Sequence, residues 1–271
     1  MDSMKEQEQI SPAEETVIPP TDYIPVLMYH HFAIRDMGEG NGVVTTQAEL
    51  RAQIASLKEA GYEFISLETL DRLLQQMEKK RNQKTDNEGK SLGLGQKYVC
   101  ITIDDGYLSN YELAFPLFKE YRVPASIFVV TDSITQQTGL KKFTWKQGQK
   151  MVDSGMVKLY NHTANHIPID MEIEEAFLLA VAQGEQALQA HLRQEGCKAL
   201  AYPNGRFTLY AQKELEKMGF DLLFTVEHGV ITKQTSRYEI PRIAVESGWD
   251  GQALLEHIER AARKSFVPGK R

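Results

Sequence analysis

The chain has 271 residues, 42% hydrophobic and 25% charged, with 31 basic and 37 acidic side chains and a net charge of −6. At about 150 residues per domain this is one large domain or two small ones, with enough apolar material for a core, which excludes disorder throughout. The lack of a basic surplus argues against a dedicated nucleic-acid or anionic-membrane binder.

Residues 1–22 are acidic and Gln-rich, end in Pro19-Pro20-Thr21-Asp22, and read as a flexible lead. They lack a basic start followed by an apolar run, so no signal peptide is read there. Either the protein is cytoplasmic or an export segment precedes residue 1. Ile24 to Tyr29 predicts a strand, followed by a turn-rich loop over 36–42. Leu50, Ile54 and Leu57 have helical spacing within 46–60, stopped by Gly61. A strand over 63–65 follows, then a helix capped by Ser66 and carried by Leu67, Leu70, Leu73, Leu74 and Met77.

Residues 80–96 are rich in Lys, Asn, Gly and Gln and read as an exposed loop within the domain. Beyond it, strands are expected over 99–103, 125–130, 157–160, 199–202, 222–226 and 240–245. Helices are expected over 110–121, 145–154, 172–194, 208–218 and 251–263. Cys100 and Cys197 adjoin apolar runs and read as buried free thiols, at most one bridge. No run reaches the roughly 18 apolar residues of a membrane-spanning helix. Strands alternating with helices signal parallel βα units, and seven or so such units fit a single α/β barrel. An open doubly wound sheet is the alternative. No G-x-G-x-x-G follows a strand, so a dinucleotide site lacks its motif.

Four clusters carry chemistry. Thr102-Ile103-Asp104-Asp105-Gly106 ends an apolar strand, where α/β folds open onto their ligand crevice. One carboxylate can hold a cation while its neighbour transfers protons; an ordinary capped turn is the bland alternative. His162-Thr163-Ala164-Asn165-His166 also follows a strand, and an i,i+4 pair on a helical turn brings both imidazoles to one ion. Two histidines and a carboxylate leave open positions for water, as a catalytic metal site requires. Ala201-Tyr202-Pro203-Asn204-Gly205 is a turn that can aim a backbone N–H into the pocket. Val26-Leu27-Met28-Tyr29-His30-His31 is a strand ending in two histidines.

In this order, T-x-D-D-G, H-T-x-x-H and Y-P-x-G resemble the polysaccharide deacetylase family (carbohydrate esterase family 4, the NodB homology domain). The likeness spans roughly residues 24–245. The opening P-V-L-M-Y-H-H-F resembles the branch whose general-acid histidine lies at the N-terminal edge, which includes enzymes of poly-N-acetylglucosamine and cell-wall glycans. The resemblance implies a distorted (β/α)7 barrel over residues 23–271, and a divalent metal, zinc with cobalt or nickel as substitutes, held by Asp105, His162 and His166. It makes Asp104 the general base, His30 the general acid and the Asn204 backbone N–H an oxyanion donor, with Tyr202 and Pro203 in the sugar-gripping turn.

Two departures stand out. The family arginine two residues before the motif proline is Ala201 here, and Arg242, in Ile240-Pro241-Arg242-Ile243, is the expected substitute. The residue after that proline is more often aromatic than Asn. His31, His228 and His257 are weaker acid candidates, and no late L-x-L-H is found. Trp145 and Trp249 are candidate groove walls for a sugar, with core packing as the alternative.

The expected function is N-deacetylation of N-acetylglucosamine units in a cell-wall or extracellular polysaccharide. A non-catalytic glycan-binding protein and a metal-dependent small-amide hydrolase are the alternatives. An enzyme of external glycans is expected outside the cell or at its surface, with its export signal preceding residue 1.

Overall fold

The computed structural model describes residues 18–35, 42–82 and 92–266. Residues 1–17 of the expected lead, most of the 36–42 turn and residues 83–91 of the expected 80–96 loop lie outside them. Lys80 and Arg81 belong to a helix.

The first elements are β1 (Val26–Tyr29), β2 (His31–Ala33), β3 (Val44–Thr46), α1 (Gln47–Glu59), β4 (Tyr62–Phe64) and α2 (Leu67–Asn82). Next come β5 (Lys97–Asp104), a π-helical stretch Asn110–Ala114, α3 (Phe115–Tyr121), β6 (Ala125–Val129), α4 (Trp145–Asp153) and β7 (Val157–Asn161). The chain continues through α5 (Glu174–His191), β8 (Ala199–Ala201), α6 (Leu209–Lys217), β9 (Leu222–His228), β10 (Ile240–Ala244) and α7 (Gly251–Phe266). The short pair β2–β3 is the element that periodicity missed, since three residues leave no pattern to read.

Helix starts follow side-chain chemistry. Thr46 with Glu49, and Thr144 with Gln147, form reciprocal capping boxes ahead of α1 and α4. Gly61, at φ 80°, ends the α1 turn where a side chain would be strained.

Eight strands make one sheet in the order β1-β10-β9-β8-β7-β6-β5-β4, every register pair parallel, and β1 also pairs with β5. The arrangement is uneven. β7 and β8 share one register pair, Asn161 with Leu200, and the β9–β10 register shifts between Ile240 and Arg242. The parallel α/β class expected from alternating strands and helices is what the chain adopts.

Alternation along the strands divides the core. Leu27, Tyr29, Ile101, Ile103, Ile127, Val129, Leu159 and Ile243 pack with Leu50 and Ile54 of α1, Phe118 of α3, Met151 of α4 and Leu254 of α7. The opposite parity, Val26, Cys100, Phe128, Tyr160, Ala201, Phe224 and Ile240, forms a second cluster. Toward the carboxyl ends, that second parity becomes polar: Thr102, Asp104, His162 and Arg242 are buried there. Both cysteines are free thiols, Cys100 buried and Cys197 half-buried.

Candidate metal and active site

At the carboxyl end of β5, Asp105 has φ 75° and Gly106 φ 72°, so the chain turns sharply out of the sheet. Gly106 suits this turn; Asp105 does so at a conformational cost. Among the described residues six non-glycine positions have positive φ, and Asp105, Thr163, His166 and Asn204 are four of them. The left-handed backbone therefore concentrates in three strand-end motifs.

The expected helical turn for His162 and His166 is not what forms. Thr163 (φ 62°) and His166 (φ 60°) are left-handed, and an irregular loop brings the imidazoles together, centroids 4.7 Å apart. Its amides are paired by tertiary and side-chain acceptors: His162 N–H to Val129 O (3.1 Å), Thr163 N–H to Asn161 Oδ1 (2.7 Å), Ala164 N–H to Ala180 O (3.0 Å) and, within the loop, His166 N–H to Thr163 Oγ1 (2.9 Å). These bonds supply what a helix would have supplied, and the i,i+4 spacing could not distinguish the two.

Asp105 Oδ1 lies 3.7 Å from His162 Nε2 and 3.6 Å from His166 Nε2, and the ligand atoms of all three residues fall within 4.8 Å. Zinc bonds of about 2.1 Å arranged tetrahedrally put ligand atoms about 3.4 Å apart, so this separation fits one cation. His162 Nδ1 is 2.7 Å from Ala201 O. A carbonyl only accepts, so Nδ1 carries the hydrogen and Nε2, 3.7 Å from Asp105 Oδ1, has its lone pair free for a cation shared with that carboxylate. Burial pushes the His162 pKa below its ordinary value although Asp104 and Asp105 pull the other way, which favours the neutral ligand form. Two imidazoles and one carboxylate suit Zn²⁺, Co²⁺ or Ni²⁺.

Asp104 stands beside this trio, its Oδ2 4.0 Å from His162 Nε2, and is paired with Arg242. Nη1 reaches Oδ1 and Nη2 reaches Oδ2, each at 2.8 Å. Arg242 is fully buried, and its Nε donates to Thr225 O (2.8 Å). Thr102 Oγ1 donates to Leu27 O (2.7 Å) and accepts from Arg242 Nη1 (3.3 Å), which explains the threonine of T-x-D-D-G. Burial alone would raise the Asp104 carboxyl, but Arg242, then His162 and His30, bring it down to about 2. It is ionised at neutral pH.

Tyr29 is opposite Ile103 in the β1–β5 register, so His30 emerges beside Asp104. Its carbonyl accepts from Asn110 Nδ2 (2.8 Å), and its ring is near enough for its charge to act on Asp104. His31 is directed elsewhere: Nδ1 meets Ser109 Oγ at 3.0 Å and the ring packs edge-on to Tyr107.

The third turn needs correction in part. Asn204 is exposed at φ 52°, and Gly205 (φ 68°) follows where a Cβ would lie 2.6 Å from Val226 N. Tyr202, however, has opposite parity to Ala201, is fully buried, and stacks on Phe207 at 5.3 Å. Pro203 is buried too. Neither offers a surface to a sugar; both anchor the turn. Trp145 and Trp249 are each half-buried. One face of each is occupied by a histidine, Trp145 on His191 (4.6 Å) and Trp249 on His257 (3.6 Å), and both pack against the core.

Sequence reading gave no role to four residues behind the motifs: Thr102, although it belongs to T-x-D-D-G, Asn110, Asn161 and Lys142. Asn161 is fully buried, and besides accepting from Thr163 N–H it donates to Val181 O (2.9 Å) and Glu185 Oε1 (3.0 Å). A polar residue interrupting an apolar run just before the histidine motif was the available signal.

The family model described as polysaccharide deacetylase matches residues 92–223. The chain is 27% identical over 236 residues to YxkH of Bacillus subtilis (strain 168), covering 87% of this chain and 76% of that one. It is 27% identical over 223 residues to the poly-β-1,6-N-acetyl-D-glucosamine N-deacetylase of Staphylococcus epidermidis, covering 76% of this chain and 72% of that one. In fold it resembles the Streptococcus pyogenes deacetylase PplD in complex with acetate, with a TM-score of 0.72 at 23% identity over 90% of this chain and 99% of the other. IcaB from Ammonifex degensii superposes with a TM-score of 0.70 at 23% identity over 88% and 97% of the two chains.

Proposed function

We propose, from the match of residues 92–223 to the polysaccharide deacetylase family model, that the chain is a metal-dependent N-deacetylase of N-acetylglucosamine units in a cell-wall or extracellular polysaccharide. The observation that carries this reading is the convergence of Asp105, His162 and His166 beside an ionised Asp104. We read the strand circuit as the family's distorted (β/α)7 barrel, with residues 23–271 one catalytic unit and residues 1–22 a lead.

Asp105, His162 and His166 would hold a divalent cation, Zn²⁺ foremost with Co²⁺ or Ni²⁺ as substitutes. Bound there, such a cation supplies Lewis acidity, polarising an acetamide carbonyl and acidifying water. The protein's own groups do the rest. Asp104 accepts the proton of the attacking water. Arg242 keeps that carboxylate ionised and oriented, the work of the family arginine that Ala201 replaces. The Asn204 backbone N–H meets the developing oxyanion, a contact worth on the order of 3 kcal/mol. His30, across from Asp104, protonates the departing amine, without which the tetrahedral adduct would revert to amide.

The non-catalytic alternative drew its support from Ala201. The Arg242 guanidinium on Asp104 answers that objection from another strand and supports the enzymatic reading. The similarity to a poly-β-1,6-N-acetyl-D-glucosamine N-deacetylase favours a β-linked glucosamine polymer over a small amide. An external glycan puts the protein's work outside the membrane; among the described residues no helix is long and apolar enough to cross one. The test is acetate release from poly-N-acetylglucosamine, peptidoglycan and chitin oligomers. Release lost on chelation and restored by Zn²⁺ is expected. Glycan binding without acetate release under any of the three metals would count against the proposal.

A further inference from the structure

Lys142 lies in the loop leading into α4, far in sequence from the three motifs, yet it is 8% exposed. Its Nζ donates to the Asp105 carbonyl at 2.8 Å and stands 3.6 Å from the centre of the Tyr107 ring. Among the described residues it forms no ion pair, although the charge of the Asp105 carboxylate is near enough to act on it. An ammonium buried with one carbonyl and one aromatic face is a costly arrangement for a loop whose only task is packing.

The backbone around it is built onto the same turn. Tyr107 and Lys142 form an isolated antiparallel bridge, Leu108 N–H donates to Lys141 O (2.8 Å), and Phe143 N–H donates to Gly106 O (3.3 Å). The segment it grips is the left-handed Asp105-Gly106 turn, a conformation that costs an aspartate more than a glycine. We infer that Lys142 is a positioning residue for Asp105: by anchoring the Asp105 carbonyl from beneath, it fixes the orientation in which the side chain meets His162 and His166. The inference rests on the metal reading of that trio.

Two effects follow from removing Lys142, and they oppose one another in affinity. The turn loosens, which weakens cation binding, while a nearby positive charge disappears, which strengthens it. Coordination geometry is the readout that only positioning moves. The experiment is the visible absorption spectrum of the Co²⁺-loaded protein, with kcat and KM on a glycan oligomer measured alongside. For Lys142→Met, which keeps the aliphatic stem, the expected result is a Co²⁺ spectrum with shifted bands and kcat lowered roughly tenfold or more at similar KM. Lys142→Arg, which keeps a charged donor, should retain the wild-type spectrum. Lys142→Gln, read in the same way, serves if the methionine variant does not fold. A Lys142→Met or Lys142→Gln spectrum superimposable on wild type overturns the inference. Wild-type protein that binds no Co²⁺, with Asp105→Ala indistinguishable from it, overturns the metal reading instead and takes the inference with it.

Discussion

Arg242 on β10 and Asp104 on β5 meet in a two-point ion pair, both contacts 2.8 Å, across the intervening strand β1. Both are buried, Arg242 at 0% and Asp104 at 2% exposure. The pair ties together strands that do not hydrogen-bond to each other, and it favours the ionised form of the carboxylate beside the candidate metal ligands.

Removing one partner strands a buried charge. Arg242→Met should therefore destabilise the fold by about 3–5 kcal/mol, measured by urea unfolding. The double variant with Asp104→Asn should lose less than the sum of the two single changes, because it leaves no lone charge behind. Additive losses would mean that the two residues are not coupled.

Acid stability carries a sign that follows from the same site. His162 is depressed from 6.5, so the unfolded chain takes up its proton first and stability falls as pH drops below that value. His31 and His228 are also lowered by burial and act in the same window. Asp104 stabilises above its ordinary 3.8, and that contribution, on the order of 2 kcal/mol, is lost as pH falls through about 2. In metal-free protein, melting temperature should decline between about pH 7.5 and 5, and less steeply in His162→Asn. Parallel declines in the two proteins would remove His162 from the explanation.

Gly184 on α5 leaves room for Asn161: a Cβ there would lie 2.7 Å from Asn161 Oδ1. Asn161 is held by three hydrogen bonds and cannot swing aside cheaply. Gly184→Ala should cost about 1–3 kcal/mol and loosen the loop bearing His162 and His166. The check is a lower melting temperature with reduced Zn²⁺ retention after dialysis. Unchanged retention would show that the loop does not depend on Asn161.

Tyr202 has the opposite profile. Its hydroxyl is buried and has no partner among the described residues. Tyr202→Phe should be neutral or stabilising by up to about 1 kcal/mol, with KM unchanged, because the ring is core and not groove. A rise in KM would restore Tyr202 to the substrate surface.

Much of this architecture was legible along the chain, and the failures have physical causes. Strand ends marked by Asp104-Asp105-Gly106, His162 and Pro203 read correctly because apolar runs stop there in favour of turn and ligand residues. Arg242 was legible as a substitute for Ala201 only through a resemblance; nothing local says that a guanidinium on β10 crosses β1 to Asp104. The His162–His166 spacing suggested helix because backbone handedness at Thr163 is set by tertiary hydrogen bonds, which spacing does not encode. Tyr202 reads as sugar-gripping because aromatic type is visible in sequence while facing is not. Lys142 escaped because its partner is a backbone carbonyl, which leaves no trace in residue identity.

The most direct test of the central claim is acetate release by Asp104→Asn beside wild type, with bound metal measured in both. The predicted result is a variant that retains its metal, through the intact Asp105, His162 and His166, while losing nearly all acetate release. A metal-loaded Asp104→Asn protein that releases acetate at the wild-type rate would contradict it.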